Sequence, residues 1–379
     1  MKFLIVAGDP SGSIHAARLM REILVLAPDS SFYGIGGDDM IEAGLLPLAH
    51  TRDVGVVGFW EVAKRYFFFK RLLQTVADSI AEERPDAFIA VDYPGFNLRL
   101  AAEAKKAGIP VLYYIAPQLW AWGKNRAAEL SRNVDLLLTV FPFETDFFSK
   151  LGIHSEFTGH PLLDGEAFRS TEGNGWNKRL IALLPGSRPQ EVIRNLPIML
   201  ESATVFSERH PNFIFSIAKA PNIPRKIYED IIRKFTLKKG LNIEFSDDSR
   251  LLLEAAYAGL VKTGTSTLEA CLCNMPFAMM YRASLFSYYF GKIAVNTKFL
   301  AMPNILASKI IVREFIQEDA TAANLADELT RLTFDEKTRH IQQDDFADIR
   351  RQLGGSGASR RAAGKILFYL QNAAKNNGA

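Results

Sequence analysis

Residues 1–26 read MKFLIVAGDPSGSIHAARLMREILVL and contain the repeating pattern that decides the fold. An apolar run of strand length, Lys2–Ala7, meets a turn at Gly8–Ser13, and a segment of helical period follows over Ile14–Leu26. Continuously apolar strands separated by helices are typical of parallel sheets covered on both faces. The stretch therefore predicts an α/β protein whose ligands bind where the strands end and the helices begin.

The same alternation continues along the chain and restarts once. With 379 residues, the chain exceeds the roughly 250–300 at which a single core tends to split. The restart near 159–164 predicts two doubly wound, Rossmann-like domains, 1–163 and 164–345, facing a central cleft. A helical segment, 346–379, follows and packs back on the first domain or on a partner subunit. The other predicted strands are Ser31–Ile35, Asp86–Val91, Ile109–Ile115, Val134–Val140, Arg179–Leu184, Phe213–Ala218, Asn242–Phe245, Gly259–Lys262 and Pro276–Tyr281.

Charge and cysteine usage exclude several classes of protein. Lys and Arg number 45 against 42 Asp and Glu, which argues against a nucleic-acid binder. No apolar run reaches the roughly 18 residues of a membrane span, and the first run is too short for a signal peptide. Cys271 and Cys273 are neighbours that indicate a reducing compartment, and we interpret them as core residues rather than metal ligands. We therefore predict a cytoplasmic protein.

Two glycine-bearing turns in the second half indicate a phosphate ligand. LLPGSRPQEV (183–192) and VKTGTSTLEA (261–270) each read as a buried strand, a tight turn and the start of a helix. Free N–H groups and partial positive charge at a helix start can hold an anion without a metal. Ordinary turns and helix caps remain the alternative for each. The residues concerned are Gly186, Ser187, Arg188, Gly264, Thr265, Ser266 and, one turn into the second helix, Glu269.

A series of motifs along most of the chain carries a family resemblance. Taken in order, they resemble lipid-A-disaccharide synthases, which are inverting glycosyltransferases of family 19 with GT-B architecture. The motifs are AGDPSGSIHAA (7–17), VDYPGFN (91–97), YYIAPQLWAWGKNR (113–126), FPFE (141–144), TGHPLLD (158–164), LLPGSR (183–188), TGTSTLE (263–269), YR (281–282) and MPNILA (302–307).

The resemblance implies a reaction and its partners. UDP-2,3-diacylglucosamine would donate its sugar to the 6-hydroxyl of 2,3-diacylglucosamine 1-phosphate (lipid X), giving a β-1,6-linked tetraacyl disaccharide phosphate and UDP. The first domain would hold the acceptor and its lipid, and the second the UDP-sugar. The resemblance further implies no metal, no cofactor, peripheral attachment to the inner membrane and a homodimer.

The resemblance also assigns residues. Asp92 is the predicted base, with a helix cap for the helix near Phe96 as the alternative. Asn304, Glu314 and Gln317 join the donor set, the last two predicted one helical turn apart. The acceptor side comprises Ser11, Gly12, His15, Asn97, Trp120 and Trp122.

This chain departs from the family pattern at several positions. Asp9 stands where Glu is usual and Ser13 where Asp is usual, so the first loop is expected to hold its ligand differently. Lys262 replaces a small residue and is expected to add positive charge near the pyrophosphate. The remaining departures are Ala116, Gly123 and Arg313.

An aromatic and basic segment, 58–77, reads GFWEVAKRYFFFKRLLQTVA. Its aromatic side chains wrap more than one face of a helix, so they cannot all enter one core. A helix of this kind suits an anionic membrane surface or the mouth of an acyl-chain pocket, while a buried helix or a dimer contact is the alternative. The predicted contacts are Phe59, Trp60, Tyr66, Phe67, Phe68, Phe69 and Leu72.

Two other functions compete with glycosyl transfer. A UDP-sugar 2-epimerase shares the two-domain architecture but needs no membrane segment and no acceptor. A lipid carrier without enzymatic activity would use the aromatic segment but would leave Arg188 and Glu269 without a purpose.

Overall fold

The computed structural model describes residues 1–54, 66–121, 126–164, 176–239, 241–283 and 297–377. The chain divides into two compact units. The first unit comprises Met1–Asp164 together with Leu353–Ala379, and the second comprises Gly165–Gln352. The last helix of the chain therefore belongs with the first unit.

The first unit is built on a parallel sheet, whose described strands run in the order β3-β2-β1-β4-β5-β6-β7. The order reverses between β1 and β4, which is where open α/β sheets bind ligands. Its elements are β1 Lys2–Ala7, α1 Pro10–Leu26, β2 Ser31–Gly36, α2 Asp38–Glu42, β3 Leu45–His50, α3 Thr51–Val54, α4 Tyr66–Glu83, β4 Ala87–Val91, α5 Pro94–Lys106, β5 Val111–Tyr114, α6 Ala127–Asn133, β6 Leu136–Thr139, α7 Pro142–Ser149 and β7 Ser155–Phe157.

The second unit repeats the plan with the strand order β10-β9-β8-β11-β12-β13, again parallel over its described residues. Here the order reverses between β8 and β11, so the loops after these two strands lie side by side. Its elements are β8 Asn177–Leu184, α8 Pro189–Arg209, β9 Ile214–Ala218, α9 Arg225–Lys239, β10 Asn242–Ser246, α10 Ser249–Ala255, β11 Ala256–Lys262, α11 Thr265–Leu272, β12 Phe277–Tyr281, α12 Met302–Ala307, β13 Glu314–Ile316, α13 Ala322–Phe334 and α14 Glu336–Gln352.

The predicted α/β class and all ten predicted strands are confirmed. Three strands were not predicted: β3, β7 and β13. Each is a sheet edge with a largely exposed or half-buried sequence, so none has the continuous apolar run that revealed the others. The prediction of Glu314 and Gln317 on one helix is wrong, because Glu314 pairs in β13 and Gln317 begins a short 3-10 turn.

The last helix, α15 (Ala358–Asn377), is held on the first unit by a carboxylate cap. Asp164 Oδ1 accepts hydrogen bonds from the N–H groups of Gly357 and Ala358, each at 2.7 Å. Its Oδ2 accepts from the Ser359 N–H, also at 2.7 Å. A carboxylate at a helix N-terminus satisfies free donors and complements the helix dipole. The aspartate of the TGHPLLD motif is therefore structural.

Within the described ranges, no helix is both long and apolar enough to cross a membrane.

Candidate active site

Asp92 stands directly after β4, at the point where the strand order of the first unit reverses. Both Asp92 and Tyr93 have left-handed backbones, with φ of +46° and +50°. Such conformations are costly for residues other than glycine and persist only where the surroundings impose them. The Asp92 carbonyl accepts hydrogen bonds from Asn97 Nδ2 at 2.7 Å and from Tyr113 Oη at 2.6 Å. Imposed geometry of this kind is typical of functional sites and supports the prediction for Asp92.

The turn after β1 packs directly against this strained pair. A Cβ on Gly8 would lie 2.2 Å from the Tyr93 ring, so only glycine fits there. Tyr93 Oη also donates to the Val54 carbonyl at 3.1 Å. The ends of β1 and β4 are thus joined through one aromatic ring, which brings the predicted first loop beside Asp92.

The surroundings of Asp92 alter its proton affinity. Burial raises the pKa of Asp92 to about 7, the negative charge of Asp9 adds to the increase, and the Tyr93 N–H opposes it. A general base works best with a pKa near the operating pH, because it must be ionised yet still take a proton. The alternative role of Asp92 as a helix cap is wrong. The N-cap residue of α5 is Tyr93, and no side chain donates or accepts a capping hydrogen bond there. The structure therefore favours the chemical interpretation of Asp92.

A fully buried carboxylate lies close enough to Asp92 to influence its charge. Glu144 of the FPFE motif is fully buried, and burial raises its pKa to about 7, with the Asp92 charge contributing. Its Oε1 accepts from Trp120 Nε1 at 2.9 Å, and its Oε2 accepts from the Val140 and Phe141 N–H groups at 3.2 Å. We did not single out Glu144 from the sequence. An acidic residue surrounded by aromatic residues was the available signal.

Trp120 belongs to an aromatic cluster beside Glu144. Its ring meets those of Phe143 and Phe141 edge-on, with centroids 5.1 and 6.5 Å apart. The hydrogen bond to Glu144 fixes the orientation of the indole ring. The three aromatic rings therefore form one apolar surface beside the Glu144 carboxylate. Trp122 and Gly123 lie outside the described residues.

The other acceptor-side residues mostly support the site from within. Asn97 is fully buried, and its amide holds the Val6, Val91 and Asp92 carbonyls. His15 is buried in α1, where burial and then Arg18 lower its pKa to about 4. Gly12 donates its N–H to Asp9 Oδ1 at 2.6 Å, whereas Ser11 is exposed. Among the members of this set that the structure describes, Ser11 is the one with an exposed side chain.

The departures from the family pattern have identifiable roles. Asp9 caps α1, and Ser13 Oγ accepts from the Gly37 N–H at 2.9 Å, which ties α1 to the turn after β2. Ala116 is buried, and Arg313 pairs with the buried Glu328 at 3.0 Å. Asp9 and Ser13 thus maintain the first loop through internal bonds.

In the second unit, the Gly186 turn is closed by a carboxylate from α8. Gly186 has φ +128°, and a Cβ there would lie 2.5 Å from Glu191 Oε2. Glu191 Oε2 accepts from the Ser187 N–H at 3.1 Å, and its Oε1 accepts from Arg188 Nη1 at 3.0 Å and from Lys262 Nζ at 2.9 Å. The turn therefore presents two cations, and Glu191 holds both.

The Gly264 turn presents unused donors. Gly264 is the N-cap of α11, has φ +134° and provides no side-chain cap. The N–H groups of Thr265 and Ser266 have no acceptor within the part of the chain that the structure describes. The carboxylate of Glu269, one turn in, likewise has no hydrogen-bond partner among the described residues, and burial raises its pKa. These free groups suit an anion and a hydroxyl-bearing ligand.

Three predicted donor residues make hydrogen bonds within the protein on either side of β13. Asn304 is fully buried; its Nδ2 donates to the Val312 carbonyl and Glu314, and its Oδ1 accepts from the Ile311 and Val312 N–H groups. Glu314 also accepts from the Leu300 and Ala301 N–H groups. Gln317 Oε1 accepts from the Ala283 N–H at 2.8 Å. The polar atoms of these three side chains bond to the protein itself, and the donor contact of Asn304 stays a prediction.

Comparison with solved structures defines the class. The chain resembles UDP-GlcNAc 2-epimerase from Neisseria meningitidis bound to UDP-GlcNAc, with TM-score 0.63, 13% identity and coverage of 98% and 100% of the two chains. It resembles CalG4, the calicheamicin glycosyltransferase, with TM-score 0.62, 14% identity and 98% of each chain. Two parallel-sheet units with ligand loops at their reversal points make this a protein of the GT-B class.

Sequence relatives narrow the class to a family. The family profile described as Lipid-A-disaccharide synthetase matches residues 3–365. Lipid-A-disaccharide synthase of Anaeromyxobacter dehalogenans (strain 2CP-1) is 39% identical over 377 residues, 98% of each chain. The enzyme of Geobacter sulfurreducens is 36% identical over 378 residues, 97% of each. The chain belongs to the lipid-A-disaccharide synthase family of glycosyltransferases.

Proposed function

We propose that this protein transfers 2,3-diacylglucosamine from its UDP derivative to the 6-hydroxyl of 2,3-diacylglucosamine 1-phosphate. The observation that carries the proposal is Asp92, a half-buried carboxylate in an imposed left-handed backbone, with a pKa raised to about 7 by desolvation, in a chain of this family. A hydroxyl nucleophile needs such a base, because it is a weak nucleophile while protonated.

The reaction is a single displacement at the anomeric carbon. Asp92 removes the proton of the 6-hydroxyl while its oxygen bonds to the anomeric carbon. The bond from that carbon to the β-phosphate oxygen breaks, and UDP leaves from the opposite face. Arg188 and the N–H groups of the Gly186 and Gly264 turns stabilise the charge that develops on the diphosphate. The carboxylate of Glu269, which has no hydrogen-bond partner among the described residues, accepts hydrogen bonds from the ribose hydroxyls.

The test supplies both substrates and follows both products. We expect the protein to release UDP and tetraacyl disaccharide phosphate in equal amounts from UDP-diacylglucosamine and the acceptor, and no UDP when the acceptor is omitted. Mass spectrometry of the lipid and a coupled UDP assay measure the two products. Absence of the disaccharide would overturn the proposal.

The same assay settles the two competitors. Solved UDP-GlcNAc 2-epimerases share the fold at 12–14% identity, which concerns architecture only. Conversion of UDP-GlcNAc without an acceptor would establish an epimerase. Binding of the lipid without release of UDP would establish a carrier.

We also propose that the start of α4 contacts the inner-membrane surface from the cytoplasmic side. Phe67 is 82% exposed, and Phe68, Lys70 and Arg71 are exposed beside it. Exposed aromatics next to cations suit an anionic lipid surface.

The other predicted membrane contacts have different positions. Leu72 lies in the core, because it is on the same buried face of α4 as Val76 and Ile80. Phe59 and Trp60 lie outside the described residues, Tyr66 is described by its backbone alone, and Phe69 packs partly against the core.

Removing the exposed aromatics should weaken membrane binding. We expect the double variant Phe67→Ser/Phe68→Ser to bind phosphatidylglycerol vesicles at least about tenfold more weakly, since each exposed ring buries apolar area in the interface. Vesicle sedimentation measures the partition. Phe368→Ser, which alters a 65% exposed phenylalanine of the same unit, is the control and should bind normally. Equal binding by the double variant and the wild type would contradict the proposed membrane contact.

The homodimer implied by the resemblance stays a prediction.

A further inference from the structure

We propose that Lys262 is a further donor-site residue of this chain, which binds the diphosphate of the nucleotide and gives the two glycine turns their net positive charge. The inference rests on the proposed function for the identity of the ligand, a nucleoside diphosphate. Its basis is an ion pair that joins the two turns.

Lys262 lies between the two turns of the second unit. It ends β11, which pairs with β8 in a register that sets Val261 beside Leu184. From there its ammonium reaches Glu191 Oε1 on α8 at 2.9 Å, and it also lies 3.9 Å from the Cβ position of Gly264. One cation therefore borders both the turn after β8 and the turn after β11.

Without Lys262, the charges around Glu191 would cancel. Arg188 contributes one positive charge and Glu191 one negative charge, and they pair at 3.0 Å. Taken alone, that pair is neutral. Lys262 adds a second positive charge, so the three side chains together carry one net positive charge. The Lys262 and Glu191 side chains are only 16% and 17% exposed, so solvent screens this charge less than at an open surface.

Lys262 also has unused hydrogen-bonding capacity. An ammonium carries three N–H donors, and within the described residues only the one bonded to Glu191 has a partner. Glu191 is well suited to hold it: burial tends to raise the Glu191 pKa, but Lys262, Arg188 and the Ser187 N–H outweigh burial and lower it. The carboxylate therefore stays ionised at neutral pH and fixes the ammonium between the turns before the ligand arrives. Donors fixed in advance do not have to reorganise when the diphosphate binds.

The test separates diphosphate binding from nucleoside binding. We expect Lys262→Met to weaken UDP binding about tenfold, the loss of one charge-assisted contact, and to leave uridine binding unchanged. UDP affinity should also depend less steeply on salt in the variant. Isothermal titration calorimetry with UDP and with uridine, at two salt concentrations, measures both effects. Lys262→Arg, which retains the charge, should restore most of the UDP affinity.

Lys309→Met is the matched control. Lys309 pairs with Asp345 at 2.6 Å in the same unit, so its replacement removes one lysine charge and one ion pair elsewhere. It should bind UDP as the wild type does. If Lys262→Met lowers the melting temperature but binds UDP normally, the ion pair is only structural and the inference is overturned. If the wild-type protein binds no UDP, the proposed function fails first, so the two failures are distinguishable.

Discussion

Replacing Asp92 with asparagine should reduce kcat by about 10³-fold or more, while UDP binding stays within twofold of the wild type. The amide cannot take the proton of the acceptor hydroxyl, and general-base catalysis contributes roughly 10²–10⁴-fold. UDP binding is spared because the donor groups belong to the second unit. The disaccharide assay measures turnover, and calorimetry with UDP measures binding.

Asp146→Asn is the control for this variant, because Asp146 is an exposed aspartate of the same unit. It should retain full turnover. Near-normal turnover by Asp92→Asn would remove Asp92 as the base. Loss of UDP binding together with turnover would point instead to a general folding defect.

The pH dependence of kcat/KM provides a second readout of the same residue. Since burial raises the pKa of Asp92 to about 7, its carboxyl is protonated and inactive as a base below that pH. We expect kcat/KM to fall about tenfold per pH unit below 7 in the wild type. Glu144 has a pKa raised to the same value and feels the Asp92 charge, so the observed transition belongs to the pair. The residual activity of Asp92→Asn should lose this dependence or shift it.

Replacing Arg188 with alanine should lower kcat/KM by about 10²–10³-fold, mostly through kcat. In the proposed mechanism the guanidinium stabilises charge that grows as the diphosphate leaves, and removing one such preorganised donor costs about that factor. Arg188→Lys should restore only part of the rate, because an ammonium cannot reproduce a planar two-donor contact. Steady-state kinetics with varied UDP-diacylglucosamine separates kcat from KM.

Arg250→Ala serves as the control for this second variant. Arg250 pairs with Glu254 on the surface of the same unit, so its loss removes an equal charge from a residue that has no assigned role. Its kinetics should match the wild type. A rise in KM at unchanged kcat for Arg188→Ala would show that Arg188 binds the donor equally in the ground and transition states, contrary to the leaving-group role.

The sequence was informative where a pattern repeats along one segment. Apolar runs such as Lys2–Ala7 and Val134–Val140 are buried strands because their continuous apolarity matches a sheet covered on both faces. The edge strand Glu314–Ile316 was not predicted, because three half-buried residues carry no periodic pattern of apolar side chains. Its misassignment as helix followed from polar residues spaced three apart, which is equally compatible with a helix face.

Individual residues of the candidate site could be predicted from the sequence, but the hydrogen bonds and ion pairs between them could not. Asp92 and Arg188 could be identified from motifs, but the bonds from Asn97 and Tyr113 that impose the Asp92 backbone join segments distant in sequence. The Lys262–Glu191 pair spans 71 positions, and no local pattern reveals it. Asn304 matched a motif, yet its burial shows that motif membership does not distinguish a contact with ligand from a contact that supports the loop.

The carboxylate that caps the last helix has a consequence for biosynthesis. When residue 164 leaves the ribosome, every strand described for the first unit has been made, but the N–H groups that Asp164 binds lie 193 to 195 positions later. The second unit, being continuous, can fold while the first still lacks its final helix. A nascent or truncated chain that stops before Gly357 therefore exposes the surface of α1 on which α15 packs. The whole chain must therefore be synthesised before α15 can cover this surface of the first unit.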